Sequence, residues 1–156
     1  TYIYIVKIEE AIKSKKFTSP QSKLIINLAY TASYFGHLHK HLLDPFDITI
    51  QQFNILRILR GHSPKTYSLK EITERMIDKM SNTSRLIDKL IQKGLVERII
   101  CPMDRRQVDI GITPEGIKLI ALASEAMDQA TMEHLSQLTL EEMDQLSSLL
   151  DKMRIN

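Results

Sequence analysis

The sequence predicts a mainly α fold, with a winged helix-turn-helix lobe between N- and C-terminal dimerisation helices. Three observations carry this. Gly and Pro number five each among 156 residues, which favours long helices over a turn-rich sandwich. Three stretches, at Thr49, Ser68 and Thr139, place a Gln or Glu three residues after a hydroxyl side chain, the pattern of a helix-starting capping box. Finally, an amphipathic helix pattern stops at Gly94 and is followed by two short runs, LVERII and QVDIGI, that read as the strands of a hairpin.

Charge is unevenly distributed. Residues 1–56 carry six Lys/Arg and four Asp/Glu, residues 57–106 twelve and six, and residues 107–156 three and nine. The segments therefore have net charges of +2, +6 and −6, so a polyanion partner is expected at one surface only. The single cysteine, Cys101, permits no internal disulfide framework and suits a reducing cytoplasm. No apolar run approaches the ~20 residues that span a bilayer, and the start has no signal-peptide pattern, so no membrane partner is expected.

In chain order, residues 1–20 read as a short helix or extended arm with a basic exit ending at Pro20. Residues 21–43 form a long helix with Leu24, Ile25, Leu28, Ala32, Phe35, Leu38 and Leu42 on its apolar stripe. His37 and His41 lie four apart on it, but no local carboxylate or cysteine completes a ligand set, so solvated or satisfied histidines are favoured over a metal site. Asp44-Pro45 stops this helix, and Thr49 starts the next, a mostly buried one running to about Arg60. Ser68 starts another, with Leu69, Ile72 and Met76 facing inward, and Ile77 to Met80 make a turn.

Ser81 is the expected N-cap of the helix from Ser81 to Lys93, in which Leu86, Ile87, Leu90 and Ile91 form the buried side. Asn82, Thr83 and Arg85, with Ser84 and Lys89 nearby, are then exposed, and such side chains can reach base edges in a major groove. Caps alone would explain one of these polar residues, but not the basic neighbourhood and the following hairpin together. Between the strands lie Pro102, Met103, Asp104, Arg105 and Arg106. An arginine there suits the negative potential of an A·T-rich minor groove, with Asp104 orienting it by a charge-assisted bond. A nonreactive Cys101 is favoured over a redox switch.

Thr113-Pro114-Glu115-Gly116 opens another helix, with Ile117, Ile120, Ala123, Met127 and Ala130 as its stripe. Thr139 and Glu142 cap the last helix, along which Leu140, Met143, Leu146, Leu150 and Met153 recur. These helices offer more apolar surface than a small winged module needs, and a two-fold dimer suits paired half-sites. The expected division is 1–48 for the N-terminal arm and dimerisation helix, 49–113 for the winged lobe, and 114–156 for the C-terminal dimerisation helices.

From about Lys23 to Met153, and most specifically in SNTSRLIDKLIQKGLVER and PMDRRQVDIGIT, the chain resembles the MarR family of bacterial transcriptional regulators. Ile112-Thr113 stands where the family usually has Leu-Thr, and Gly111 is a less usual residue expected to bend its strand. The resemblance implies a homodimer bound to a pseudo-palindromic double-stranded DNA operator. It assigns the major groove to the Ser81–Lys93 helix and the minor groove to Arg106, organised by Asp104. It also implies repression relieved by a small aromatic or phenolic effector held between the dimer helices and the DNA lobe, for which Tyr34, His37, His41 and Arg57 are candidates. The competing classes are a winged-helix protein adaptor and an enzyme. An adaptor would carry apolar or acidic residues on the recognition face. For an enzyme the chain has no P-loop, nucleotide-binding glycine fingerprint, nucleophile triad or complete metal set, and no cofactor is expected.

Overall fold

The computed structural model describes residues 5–14, 16–100 and 108–154. They belong to two compact units, residues 1–41 and 42–156. In the first unit a single turn, α1 (Ile8–Ala11), precedes the long helix α2 (Pro20–Leu43), whose last two residues belong to the second unit. Pro20 occupies the first helical position, where its missing N–H costs nothing, and the Ser19 hydroxyl accepts the Ser22 N–H at 3.1 Å. Lys23 pairs with Glu9 at 2.5 Å, tying α2 to α1.

The second unit begins where α2 ends. A 3-10 turn at Asp44–Phe46 leads to Asp47, whose left-handed φ of 52° redirects the chain. Then comes α3 (Ile50–Arg60), whose capping box is complete: the Thr49 hydroxyl accepts the Gln52 N–H and the Gln52 side chain accepts the Thr49 N–H. Its Ile55, Leu56 and Leu59 are fully buried and form the middle of the core. A second box, between Ser68 and Glu71, opens α4 (Leu69–Arg75). Ile72 and Met76 pack inward from it, but Leu69 is 40% exposed, contrary to expectation. As the first residue after the cap it precedes the buried stripe.

The helix α5 (Thr83–Gln92) ends in a Schellman motif around Gly94, which has a φ of 70°. Leu95 N–H donates to the Leu90 carbonyl at 3.0 Å and Gly94 N–H to the Ile91 carbonyl at 2.9 Å, so two otherwise orphaned carbonyls are satisfied. Leu95 is thereby turned into the core. Strands β2 (Val96–Ile100) and β3 (Val108–Ile112) follow as an antiparallel pair running from Val96↔Ile112 to Ile100↔Val108. The register passes Gly111 residue for residue, so no bulge interrupts the pair there. A Cβ there would lie 3.0 Å from the Ile99 Cδ1, which is the room the glycine leaves.

A third strand, β1 (Tyr67–Ser68), was not expected. It pairs with β3 through Tyr67↔Ile110 and Ser68↔Asp109, giving the sheet order β1-β3-β2. Two residues carry no alternation to read. The Thr66 hydroxyl bonds Asp109 at 3.1 Å, the Tyr67 ring stacks on His62 with centroids 3.9 Å apart, and the Arg75 guanidinium sits 4.4 Å from the Tyr67 centroid.

The sheet leads into α6 (Pro114–His134), whose Ile120, Ala123 and Met127 close the core against α3. Ile117, expected on this stripe, is partly exposed, because the buried face follows the 120–123–127 line and leaves 117 at its edge. The final helix is α7 (Leu140–Met153), opened by the Thr139–Glu142 capping box. Its Leu140 and Leu146 are exposed, Met143 and Leu150 are half-buried, and none of its residues is fully buried, so among the described residues the expected stripe is only partly covered. No helix of the described residues is long and apolar enough to cross a membrane.

Gly116, in the first turn of α6, lies against the Leu95 carbonyl: a Cβ there would be only 2.1 Å from that oxygen. The oxygen cannot readily retreat, since it accepts the Thr113 N–H at 3.1 Å. Gly116→Ala should therefore destabilise the protein by about 1–3 kcal/mol in urea unfolding, and an unchanged midpoint would contradict this packing. The two box carboxylates generate an acid sensitivity. Bonds from the Ser68 and Thr139 backbone N–H groups, then from their hydroxyls, hold Glu71 and Glu142 below the ordinary carboxylate value of 4.5. The unfolded chain binds these protons more tightly, so the contribution is present above 4.5 and lost as pH falls through the lowered folded values. The double variant Glu71→Gln, Glu142→Gln should show a shallower loss of stability between pH 5 and pH 3 (roughly the carboxylate window) than the parent chain.

Candidate nucleic-acid interface

The helix α5 has two sharply different faces. Thr83, Ile87 and Leu90, spaced i, i+4, i+7, are buried, while Asn82, Arg85, Lys89 and Gln92 fall on exposed positions spaced i, i+3, i+7, i+10. The apolar stripe seats the helix against α3 and α4, and the polar stripe is left outward as a consequence.

The start of α5 differs from expectation by one residue. Asn82, not Ser81, is the N-cap: its Oδ1 accepts the Arg85 N–H at 3.1 Å. Ser81 instead donates its hydroxyl to Asp78 Oδ2 at 2.8 Å, and Asp78 Oδ1 also accepts the Met80 N–H at 3.0 Å. The aspartate thus organises the turn and takes Ser81 out of the capping position. Thr83, expected to be exposed, is only 4% accessible. It opens the buried stripe, and its neighbours Ser84 and Arg85 are the ones turned outward.

The charges beside this face are paired in two places. Asp88 binds Arg98 of β2 at 2.5 Å, joining the middle of α5 to the hairpin. Both side chains are about half exposed, so the pair contributes on the order of 0–1 kcal/mol and acts mainly as an orienting tie. Lys93 binds Asp47 at 2.8 Å, joining the end of α5 to the segment before α3. Lys89 and Lys93 line a cleft of about 560 Å³ whose lining also includes Asp44 and Asp47. Neither tie had a sequence signal, because the partners are 10 and 46 residues apart and no helical spacing relates them.

Asp104, Arg105, Arg106 and Cys101 lie outside the described residues. The strands that flank them are described, and the register of Ile100↔Val108 brings the two ends of that segment together. Tyr34, His37 and His41 fall at i, i+3, i+7 on α2, so they share one helix face in the first unit. Arg57 is on α3 in the second unit, exposed, with its guanidinium 5.8 Å from the Phe53 ring centroid. Among the described residues no three His, Cys, Asp or Glu side chains gather as a metal cage.

The cap assignment is directly testable. Asn82→Ala should cost about 0.5–2 kcal/mol, whereas Asn82→Asp, which keeps an accepting oxygen at the helix start, should leave the urea midpoint within error. Equal losses for the two variants would mean that Asn82 stabilises the protein by something other than capping.

This arrangement has counterparts in known proteins. Residues 48–108 match the model of the MarR family. Over 118 residues the chain is 31% identical to the multiple antibiotic resistance protein MarR of Salmonella typhimurium, an alignment covering 74% of this chain and 80% of that protein. Among solved structures, it resembles the S. aureus MepR–DNA complex with a TM-score of 0.75 and 26% identity, over 86% of this chain and 96% of that one. It also resembles a MarR transcription factor from Planctomyces limnophilus, with a TM-score of 0.65 and 29% identity, over 87% and 98% of the respective chains. From the two-faced α5 through the glycine stop and three-stranded sheet to the capped α6, the chain belongs to the MarR family.

Proposed function

We propose that this DNA-binding transcriptional regulator of the MarR family is a cytoplasmic homodimer that represses by occupying a pseudo-palindromic operator, and that a small aromatic or phenolic effector releases it. The observation that carries the DNA-contacting part is the outward polar and basic stripe of α5, held in place by the fully buried stripe behind it. In this reading Asn82, Ser84 and Arg85 meet base edges or phosphates at the helix start, Lys89 meets a phosphate, and Ser81 holds the preceding turn. Thr83 supports the helix from its buried side. Arg105 and Arg106, with Asp104 as organiser, enter the adjacent minor groove. No catalytic step is required.

Dimerisation is supported by the exposed apolar side chains of α2 and α7, among them Leu24, Ile25, Leu140 and Leu146. On this proposal residues 1–48 and 114–156 supply the dimer helices and residues 49–113 the reading lobe. The effector role of Tyr34, His37, His41 and Arg57 rests on their aromatic and basic chemistry, which suits a phenolic anion.

Selection of duplexes from a random pool by the purified protein tests the reading. The expected winners are paired half-sites with a common core. Arg85→Ala should cost about 1–3 kcal/mol of binding and relax preference at one base position per half-site. Arg106→Ala should weaken binding with the dimer intact by light scattering, and Asn82→Asp should weaken it by bringing a negative charge to the phosphates. Affinities for the selected duplex that are unchanged by all three substitutions at several salt concentrations would refute the assignment. Repeating the titration with phenolic acids tests release, which Tyr34→Ala should blunt without weakening DNA binding.

A further inference from the structure

The two most exposed large apolar side chains among the described residues, Met80 at 92% and Ile77 at 87%, lie four positions from end to end in one turn. That turn joins α4 to α5, immediately before the Asn82 cap. Three hydrogen bonds define its shape. Asn54 on α3 accepts the Ile77 N–H at 2.9 Å, Asp78 accepts the Met80 N–H at 3.0 Å, and the Ser81 hydroxyl closes on the same aspartate at 2.8 Å. Met76, the residue before Ile77, is fully buried and anchors the turn to the core. Two backbone N–H bonds and one hydroxyl bond thus shape the turn that presents these apolar side chains outward.

We infer that Met80, supported by Ile77, is a specificity-determining contact that reads thymine through its C5 methyl at the edge of each half-site. The inference rests on the proposal that α5 enters the major groove, and it extends that surface by one turn of chain. Lys79 lies between the two apolar residues, and Asn82 and Arg85 follow them, so the patch is continuous with the polar, basic face of α5. A polyanion suits these neighbours, whereas an apolar protein surface would have to desolvate Lys79 and Arg85. Of the groups a duplex offers in its major groove, the thymine methyl is the one that an apolar side chain recognises, and no other base displays it. Asp78 accepts the Met80 N–H on one oxygen and the Ser81 hydroxyl on the other, so its carboxylate is engaged within the turn.

Deoxyuridine substitution tests this without changing any Watson–Crick pair. Each thymine of a duplex selected by the full-length protein is replaced in turn by deoxyuridine, and the affinity is measured by fluorescence anisotropy at fixed salt. The parent chain should lose about fourfold at one thymine per half-site, the scale of one buried methyl. Met80→Ser should bind the thymine and uracil duplexes equally, Ile77→Ser should reduce the discrimination, and Arg85→Ala should retain it despite weaker binding overall. Both turn side chains are exposed, so an unchanged unfolding midpoint is expected for their variants. A parent chain indifferent to every methyl, or a Met80→Ser protein that discriminates as the parent does, overturns the inference while leaving the DNA reading intact. A methyl-blind parent whose oligomeric state changes with Met80→Ser would identify a protein contact instead. Failure to select any duplex would overturn both.

Discussion

The end of α5 and the start of α6 are joined through two neighbouring backbone oxygens, those of Gly94 and Leu95. The Leu95 carbonyl accepts the Thr113 N–H, the Thr113 hydroxyl donates to the Gly94 carbonyl at 2.7 Å, and Gly116 passes close enough to that junction that no side chain fits. Strand β2 leaves this point at Val96 and β3 returns to it at Ile112. The ends of a helix, a hairpin and a second helix therefore meet within a few residues, and displacing one displaces the others. The same Thr113 hydroxyl accepts the Gly116 N–H at 3.0 Å, so a single side chain both caps α6 and locks it to the turn after α5.

From this junction the reading face is set by burial rather than by any bond to the polar residues themselves. Ile87 and Leu90 fill the space between α3, α4 and the sheet, and the rotation that satisfies them leaves Arg85 and Lys89 outward. Thr83 follows from the same rotation: it lies four residues before Ile87 and goes inward with it. Its polarity suggested exposure, but its position on the buried stripe decided the matter. The Asp88–Arg98 and Lys93–Asp47 ties then brace α5 at its middle and its end. Being partly solvated, these pairs orient more than they stabilise.

Elements with a strong local cause were the legible ones. The three capping boxes were readable because their partners are three residues apart, and the Schellman motif because the conformation it requires favours glycine. The two-residue strand β1 was not, since its existence depends on pairing with β3 some forty residues later and on the ring of Tyr67 finding His62 and Arg75. Likewise, the N-cap moved from Ser81 to Asn82 because Asp78 competes for the serine hydroxyl, a choice between two good caps that composition does not rank.

The sequence by itself determined the order and kind of the main helices and the hairpin, because hydrophobic period, caps and turn residues act over three or four positions. It also determined which helix carries the polar, basic face, and with it the family. Only the tertiary structure decided the exact cap, the inward turn of Thr83, the third strand, the close approach at Gly116 and the outward display of Ile77 and Met80. The third strand, the approach at Gly116 and the Asn54 anchor of the turn depend on atoms brought together from separate elements. No local pattern records such meetings, since they arise only when the buried faces are satisfied together.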